Sequence, residues 1–288
     1  MRNQIKQFIE HLAIERRYSM HTQKSYALDL AKLLEFASAQ SIHRWDELNA
    51  EQLNLFVMQM RHDNISSRSI RRRLSAIRGF FAYLLTQGEI SENYALGIKT
   101  PKLSPKLPEV LSYEQVLQLL TPRDNTWQEL RDVAMIEVIY SCGLRVSELV
   151  GLNTEAVDLK GGFVQVLGKG QRLRHVPLGE SAIAALNTYL KNHQKSALFV
   201  NKSGQRIGVR SVQNMIKKRA QLVGIQISVH PHMLRHAAAT HFLQSSHDLR
   251  STQEFLGHQS IKSTQVYTHL DFLELSKVYD QHHPRAKK

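Results

Sequence analysis

Apolar residues in the first hundred positions recur at helical spacing, separated by short polar joints. Leu28, Leu33, Leu34 and Phe36 supply the apolar positions of one predicted helix, and Leu53, Phe56, Val57 and Met60 those of another. The clearest stripe runs from Ser67 to Leu85, where Ile70, Leu74, Ile77, Phe81 and Leu84 step by four and three along one face. Arg68, Arg71 and Arg72 fall on the opposite side, with Arg78 at its margin. No acidic residue lies between Asp63 and Glu89, so contact with phosphates is favoured over a face balanced by local acids. Ahead of these helices, the hydroxyls and amides of Tyr18-Ser19 and Thr22–Tyr26 suit either helix capping or contact with DNA.

Between Thr100 and Pro108 three prolines at short spacing block helix and favour extended chain. The predicted division is therefore a helical domain over 1–99, a linker over 100–109 and a second domain over 110–288. In the second domain Ser112 can cap a helix through Leu120, and a more apolar helix from Glu129 to Ser141 ends at Gly143. Arg145 follows, and by itself could simply pair with Glu148. Residues 161–178 read as two strands around the turn Gly168-Lys169-Gly170. A helix over 209–223 carries Lys217, Lys218 and Arg219, which suit backbone contact and a solvated face equally. The expected class is mainly α with a small β-sheet.

His230-Pro231 opens a further helix, since proline is tolerated in a first turn. His232 and Arg235 stand at i, i+3 on that turn, beside N–H groups that attract anions. Gly257 reads as the residue that ends the next helix, with His258 directly after it. Ser260 can then cap a short helix presenting Tyr267. Beyond it, the tail from Phe272 to Tyr279 again has apolar positions at helical spacing.

Charge sharpens this picture. The 288 residues carry a formal net charge of +13, with pI near 9.9, which points to a polyanionic partner. Residues 1–100 hold 14 Lys and Arg against 10 Asp and Glu, and the remainder 24 against 15, so one cationic tail does not explain the total. The single cysteine, Cys142, excludes an intrachain disulfide and a cysteine-based zinc site, and is expected to pack in its apolar helix. No signal-peptide pattern or membrane-length apolar run occurs, so a cytoplasmic setting is expected. The P-loop pattern Gly-x4-Gly-Lys-Ser/Thr is missing as well, and no cofactor is expected. His232 and His236 have the spacing of a helical metal pair, but no acid occurs between Glu180 and Asp248 to complete it. His236 and His241 are better read as packed or supporting residues. Tyr279 is the one competitor to Tyr267 nearby, and packing suits it better.

Taken together, Arg145 within Gly143-Leu144-Arg145-Val146-Ser147-Glu148-Leu149, Lys169 between glycines, His232, Arg235, Leu256-Gly257-His258 and Tyr267 resemble the catalytic set of the tyrosine site-specific recombinases. All six positions match in order. The tail from Tyr267-Thr268-His269 to His283-Pro284-Arg285-Ala286 is similar to the Xer branch of that family. The resemblance implies an N-terminal helical core-binding domain and an α+β catalytic domain. It also implies metal-independent cleavage through a 3′-phosphotyrosyl link. Tyr267 would be the nucleophile, Arg145 and Arg235 would hold the phosphate, and Lys169 would protonate the leaving oxygen. His232 would take the tyrosine proton or orient the phosphate, and His258 would donate a hydrogen bond to it.

The implied partners are double-stranded DNA at a dif-like site, a XerD-type recombinase in a heterotetramer, and the translocase FtsK. The tail would dock into a neighbouring subunit. One departure stands out: the family usually has Ser or Thr and then often an aromatic after the second histidine of this helix, where this chain has Ala237-Ala238. Three other readings are a mobile-element integrase of the same chemistry, a basic DNA-binding protein without catalysis, and a metal-dependent nuclease.

Overall fold

The computed structural model describes residues 1–102, 109–168, 173–191, 195–257 and 269–287, with side chains from 275 onward in the last stretch. The chain divides into two compact units, Met1–Leu107 and Pro108–Lys288.

The first unit is built from α1 (Arg2–Ile14), α2 (Met20–Ala39), α3 (Ala50–His62) and α4 (Ser67–Thr86). Three of these start at a side chain that accepts a first-turn N–H: Ser19 from Thr22, Asn49 from Glu51 and Gln52, and Ser66 from Ser69. Ser19 is thus used as a cap. The α4 stripe is wholly buried, with Ile70, Leu74, Ile77, Phe81 and Leu84 at most 1% exposed. Phe8, Trp45 and Phe80 close around it in tilted and edge-on contacts. Leu28 departs from expectation and stands exposed. Five residues before Leu33 it lies about 140° round the helix, off the face that Leu30, Leu33, Phe36 and Ala37 bury.

The arginines of α4 separate into two kinds. Arg68 and Arg71 are exposed. Arg72 and Arg73, however, reach a buried acid on another helix: Asp29 accepts from Arg72 Nη2 at 3.1 Å and Arg73 Nε at 3.3 Å. Arg78 turns inward and donates to the carbonyls of Ala95 at 3.0 Å and Ile98 at 2.6 Å. Of the four arginines expected to contact phosphates, Arg72 and Arg78 thus already have partners within the protein. The sequence showed no nearby acid, and tertiary packing supplied one together with two carbonyl acceptors.

The second unit begins with α5 (Tyr113–Leu120), whose cap Ser112 accepts from Gln115 N while Gln115 Oε1 accepts from Ser112 N. It continues with α6 (Trp127–Cys142), α7 (Val146–Gly151), β1 (Val157–Asp158), β2 (Phe163–Leu167) and β3 (Leu173–Pro177). The three strands form an antiparallel sheet in chain order, with Val164 opposite Val176. Then come α8 (Glu180–Leu190), α9 (Val209–Leu222), α10 (Pro231–Ser246), α11 (Leu249–Phe255) and α12 (His269–His282). The core is organised on α6, which is buried along its second half and receives α8 and α10. Its two buried acids are each matched from afar. Glu129 meets Arg219 at 2.6 Å and Arg123 at 2.7 Å, and Glu137 takes a two-pronged bond from Arg285 at 2.9 Å for each prong.

Ala237 and Ala238 are 0% exposed in the α10–α6 packing, so the small residues occupy core where a larger side chain would need room. Cys142 is buried against the carbonyl of Pro177, and burial pushes its thiol pKa up. The described part of the tail packs on its own unit. Leu275 and Tyr279 of α12 are buried, Arg285 is held by Glu137, and Ala286 O accepts from Glu180 N at 2.9 Å. Tyr279 stacks on His283 with ring centroids 4.5 Å apart, and burial raises its hydroxyl pKa well above the ordinary value. It is a packing residue. Among the described residues no helix is long and apolar enough to cross a membrane.

Candidate active site

The site is assembled where the ends of α6 and α11 meet the starts of α7 and α10. Gly143 ends α6 in the left-handed region (φ +57°), and a Cβ there would come 2.8 Å from the ring of Phe255. Both the turn and the close approach of α11 therefore require glycine. The turn places Arg145 at the N-cap of α7, where Glu148 Oε2 accepts from its backbone N–H at 2.8 Å. Glu148 Oε1 also accepts from Arg145 Nη1 at 3.0 Å. The pairing foreseen as the bland option exists, and Arg145 is still 38% exposed in its side chain.

Arg235 lies in the first turn of α10, after Pro231 at the helix start, and its side chain is 8% exposed. It donates to the carbonyl of Gly143 and, at 2.7 Å, to that of Leu256, so it ties the end of α6 to the end of α11. Its Nη1 also lies 3.8 Å from Glu148 Oε2. Burial, and then the neighbouring Arg145, lower its pKa to about 10, which leaves it charged at neutral pH.

Sequence reasoning missed Arg174. Its Nη1 and Nη2 donate to the two oxygens of Glu148 at 2.9 and 3.1 Å, from a side chain only 10% exposed. Strand alternation carried the signal. Arg174 shares the face of Val176 on β3, so a cation stood on the inward side of a hairpin. Glu148 is consequently faced by three guanidinium groups. Burial by itself would raise its pKa, but the Arg174 fork, followed by Arg145, outweighs burial and holds it below the ordinary carboxylate value.

His232 is exposed on the same turn of α10 as Arg235, its ring centroid 6.4 Å from that of His230. Partial burial, then His230, Arg235 and Arg145, lower its pKa, so it is neutral at pH 7 and able to accept a proton. His236 is exposed, so of the two roles expected for it packing does not apply. His241 is half-buried and its Nδ1 lies 2.7 Å from the hydroxyl of Tyr140. Lys217 and Lys218 are exposed on α9, whereas Arg219 between Lys218 and Ala220 is buried on Glu129 and the carbonyls of Leu119 and Thr121. Arg219 is thus a core residue and leaves the basic face to the lysines. Lys169, His258 and Tyr267 lie outside the described residues. No group of three or more His, Cys, Asp or Glu arranged to hold a metal occurs among the described residues.

Comparisons with known proteins cover both units of the chain. The phage integrase family model matches residues 109–274, and the phage integrase N-terminal SAM-like domain matches residues 5–88. The tyrosine recombinase XerC of Actinobacillus pleuropneumoniae is 43% identical over 290 residues, covering 99% of this chain and 95% of that protein. The chain belongs to the XerC-type tyrosine recombinases. Tyrosine recombinase XerC of Xanthomonas campestris is 45% identical over 287 residues, covering 99% and 89%. Among solved structures, the XerH site-specific recombinase bound to palindromic difH substrate shares the fold with a TM-score of 0.70. It is 24% identical, over 96% of this chain and 84% of that one. The two family models fall on the two compact units, and the arginine cluster lies within the second.

Proposed function

We propose that this recombinase cuts and rejoins DNA at a dif-like site, paired with a XerD-type recombinase in a heterotetramer and controlled by the translocase FtsK. Its role would be to separate chromosome dimers in the cytoplasm before cell division. The observation that carries the chemical part is the pair Arg145 and Arg235, anchored around Glu148, with His232 on the same turn of α10 as Arg235. Two guanidinium groups held this way suit the non-bridging oxygens of a phosphodiester, where planar donors bind two at a time.

The tyrosine hydroxyl of Tyr267 attacks the phosphorus and passes its proton to His232. The P–O5′ bond breaks, Lys169 protonates the departing 5′ oxygen, and a 3′-phosphotyrosyl ester remains. His258 donates a hydrogen bond to the phosphoryl group as charge develops, alongside Arg145 and Arg235. Rejoining reverses these transfers, with a 5′-hydroxyl as nucleophile and Tyr267 as leaving group. The ester conserves the energy of the broken link, so no nucleotide is consumed. Exposed Arg68 and Arg71 on α4 and Lys217 and Lys218 on α9 support contacts to DNA phosphates. The deciding experiment is covalent trapping on a nicked dif-like duplex in EDTA, with the wild type and Tyr267→Phe. An adduct from the wild type and none from the variant is expected. A Tyr267→Phe protein that still forms the adduct, or a wild type that forms none even with a XerD-type partner present, would overturn the reading.

A further inference from the structure

Arg174 touches two separate parts of the site at once. Its terminal nitrogens are spent on Glu148, while its remaining donor, Nε, is buried with no acceptor among the described residues. That edge of the guanidinium lies across Gly257. A Cβ at Gly257 would come 2.7 Å from Arg174 Nε and 3.0 Å from Cδ and Cζ. Gly257 itself is left-handed, at φ +61°, and its N–H donates to Glu254 O at 2.8 Å to finish α11. Immediately before it, the Leu256 carbonyl receives Arg235; immediately after it in sequence stands His258. A single side chain on β3 therefore packs between the acid that holds Arg145 and the turn that holds Arg235 and leads into His258.

Neutralising Glu148 does not require this third cation. Arg145 already pairs with the carboxylate, and Arg235 faces it at 3.8 Å. Adding Arg174 leaves three positive groups around one negative group, an arrangement that costs electrostatic energy in the free protein. What the fork supplies is geometry, since two parallel N–H···O bonds fix both the carboxylate plane and the guanidinium plane.

We propose that Arg174 is a positioning residue for strand cleavage: it sets Glu148, and through it Arg145, in register with the Leu256-Gly257 turn. This role rests on the reading of the chain as a strand-cleaving recombinase. It assigns Arg174 no contact with the substrate.

The test uses the full chain on a nicked dif-like duplex, with a XerD-type partner added if the wild type needs one, and reads single-turnover adduct formation, DNA affinity and melting temperature. Arg174→Lys keeps a positive charge but loses the fork. It is expected to slow adduct formation by roughly tenfold or more, as misplacement of reacting groups does, while affinity changes by less than about twofold. Gly257→Ala should slow the wild-type background through both strain and collision with Arg174. In the Arg174→Ala background it should cost several times less, because the added methyl then has room; such non-additivity reports direct contact. Wild-type cleavage by Arg174→Lys would overturn the proposal, as would strictly additive effects of Gly257→Ala and Arg174→Ala. If the alanine variants fail to fold, the lysine variant alone decides. A wild type that gives no adduct under any of these conditions overturns the underlying reading and this role with it, whereas an active wild type matched by Arg174→Lys overturns this role alone.

Discussion

The chain carries two arginine groupings built on opposite principles. On α4, Arg68 and Arg71 stand exposed on long flexible stems, and only Arg72 and Arg73 share a buried acid, Asp29. In the catalytic unit, Arg145, Arg174 and Arg235 converge on Glu148, and all of them are fixed by hydrogen bonds to that acid or to carbonyls. The acids respond differently to their surroundings. Burial wins at Asp29 and raises its pKa despite Arg72 and Arg73, whereas the arginines win at Glu148 and lower it. Exposed cations keep their conformational freedom and are screened by salt, whereas buried, forked cations are held in one geometry.

The largest effect that bears on this contrast is expected at Arg235. Replacing it with alanine removes the guanidinium joining the Gly143 and Leu256 carbonyls, and adduct formation should fall by about 10²–10³-fold, the scale of losing a preorganised charge-stabilising donor. A loss smaller than tenfold in single-turnover trapping would mean that the buried cluster is not the catalytic one.

Neutralising the two acids should separate the units next. Glu148→Gln is expected to cost about 3 kcal/mol in urea unfolding, because buried arginines lose their counter-charge. Asp29→Asn is expected to cost less than about 1 kcal/mol, since its pKa is already raised and Arg72 is 44% exposed. Equal costs would erase the distinction.

Acid should show the same asymmetry with opposite signs. Burial lowers the pKa of His283 to about 3, so between the ordinary histidine value of 6.5 and that point the unfolded chain binds the extra proton. Glu129 is lowered to about 2: burial opposes this, but Arg123 and Arg219 outweigh it, and its contribution is lost as pH falls from 4.5. Both make the catalytic unit less stable as pH falls, with a slope of up to about 1.4 kcal/mol per pH unit for each group while it titrates. Asp29, with its raised value, gives the first unit a stabilising term that grows in acid. The two tryptophans report separately, Trp45 in the first unit and Trp127 in the second. In Trp45→Phe and Trp127→Phe variants, the Trp127 signal should therefore change at higher pH than the Trp45 signal. The reverse order would contradict the assignment.

The smallest effects are expected on the exposed face. Arg68→Ala and Arg71→Ala should each weaken DNA binding modestly and reduce the slope of log affinity against log salt by about 1. Arg78→Ala should leave that slope unchanged and instead lower the melting temperature, because its guanidinium is committed to the Ala95 and Ile98 carbonyls. A salt-slope change at Arg78 equal to that at Arg68 would return it to the binding face.

Much of this was legible in one dimension because the physics involved is local. The α4 stripe, the Ser112 cap, the Gly143 stop, the Pro231 start and the hairpin over 163–177 all follow from period, capping or turn chemistry within a few residues. The order of Arg145, Lys169, His232, Arg235, His258 and Tyr267 likewise stood in the sequence as a family resemblance. Contacts between distant residues could not be read this way. That Asp29 takes Arg72, that Arg78 turns to carbonyls, that Arg219 serves the core and that Arg285 clamps the tail to Glu137 each depend on what another element brings within about 3 Å.

By itself, then, the sequence determined the helices and their stops, the basic character of both parts and the resemblance that nominates residues to handle a phosphodiester. Only the tertiary structure decided which cations are spent inside the protein and which remain exposed. It also brought Arg174 from a β-strand onto Glu148 and Gly257. The reason is that helix period and capping are set by neighbours along the chain, whereas the partner of a charge is set by packing, which joins residues 26 or 148 positions apart.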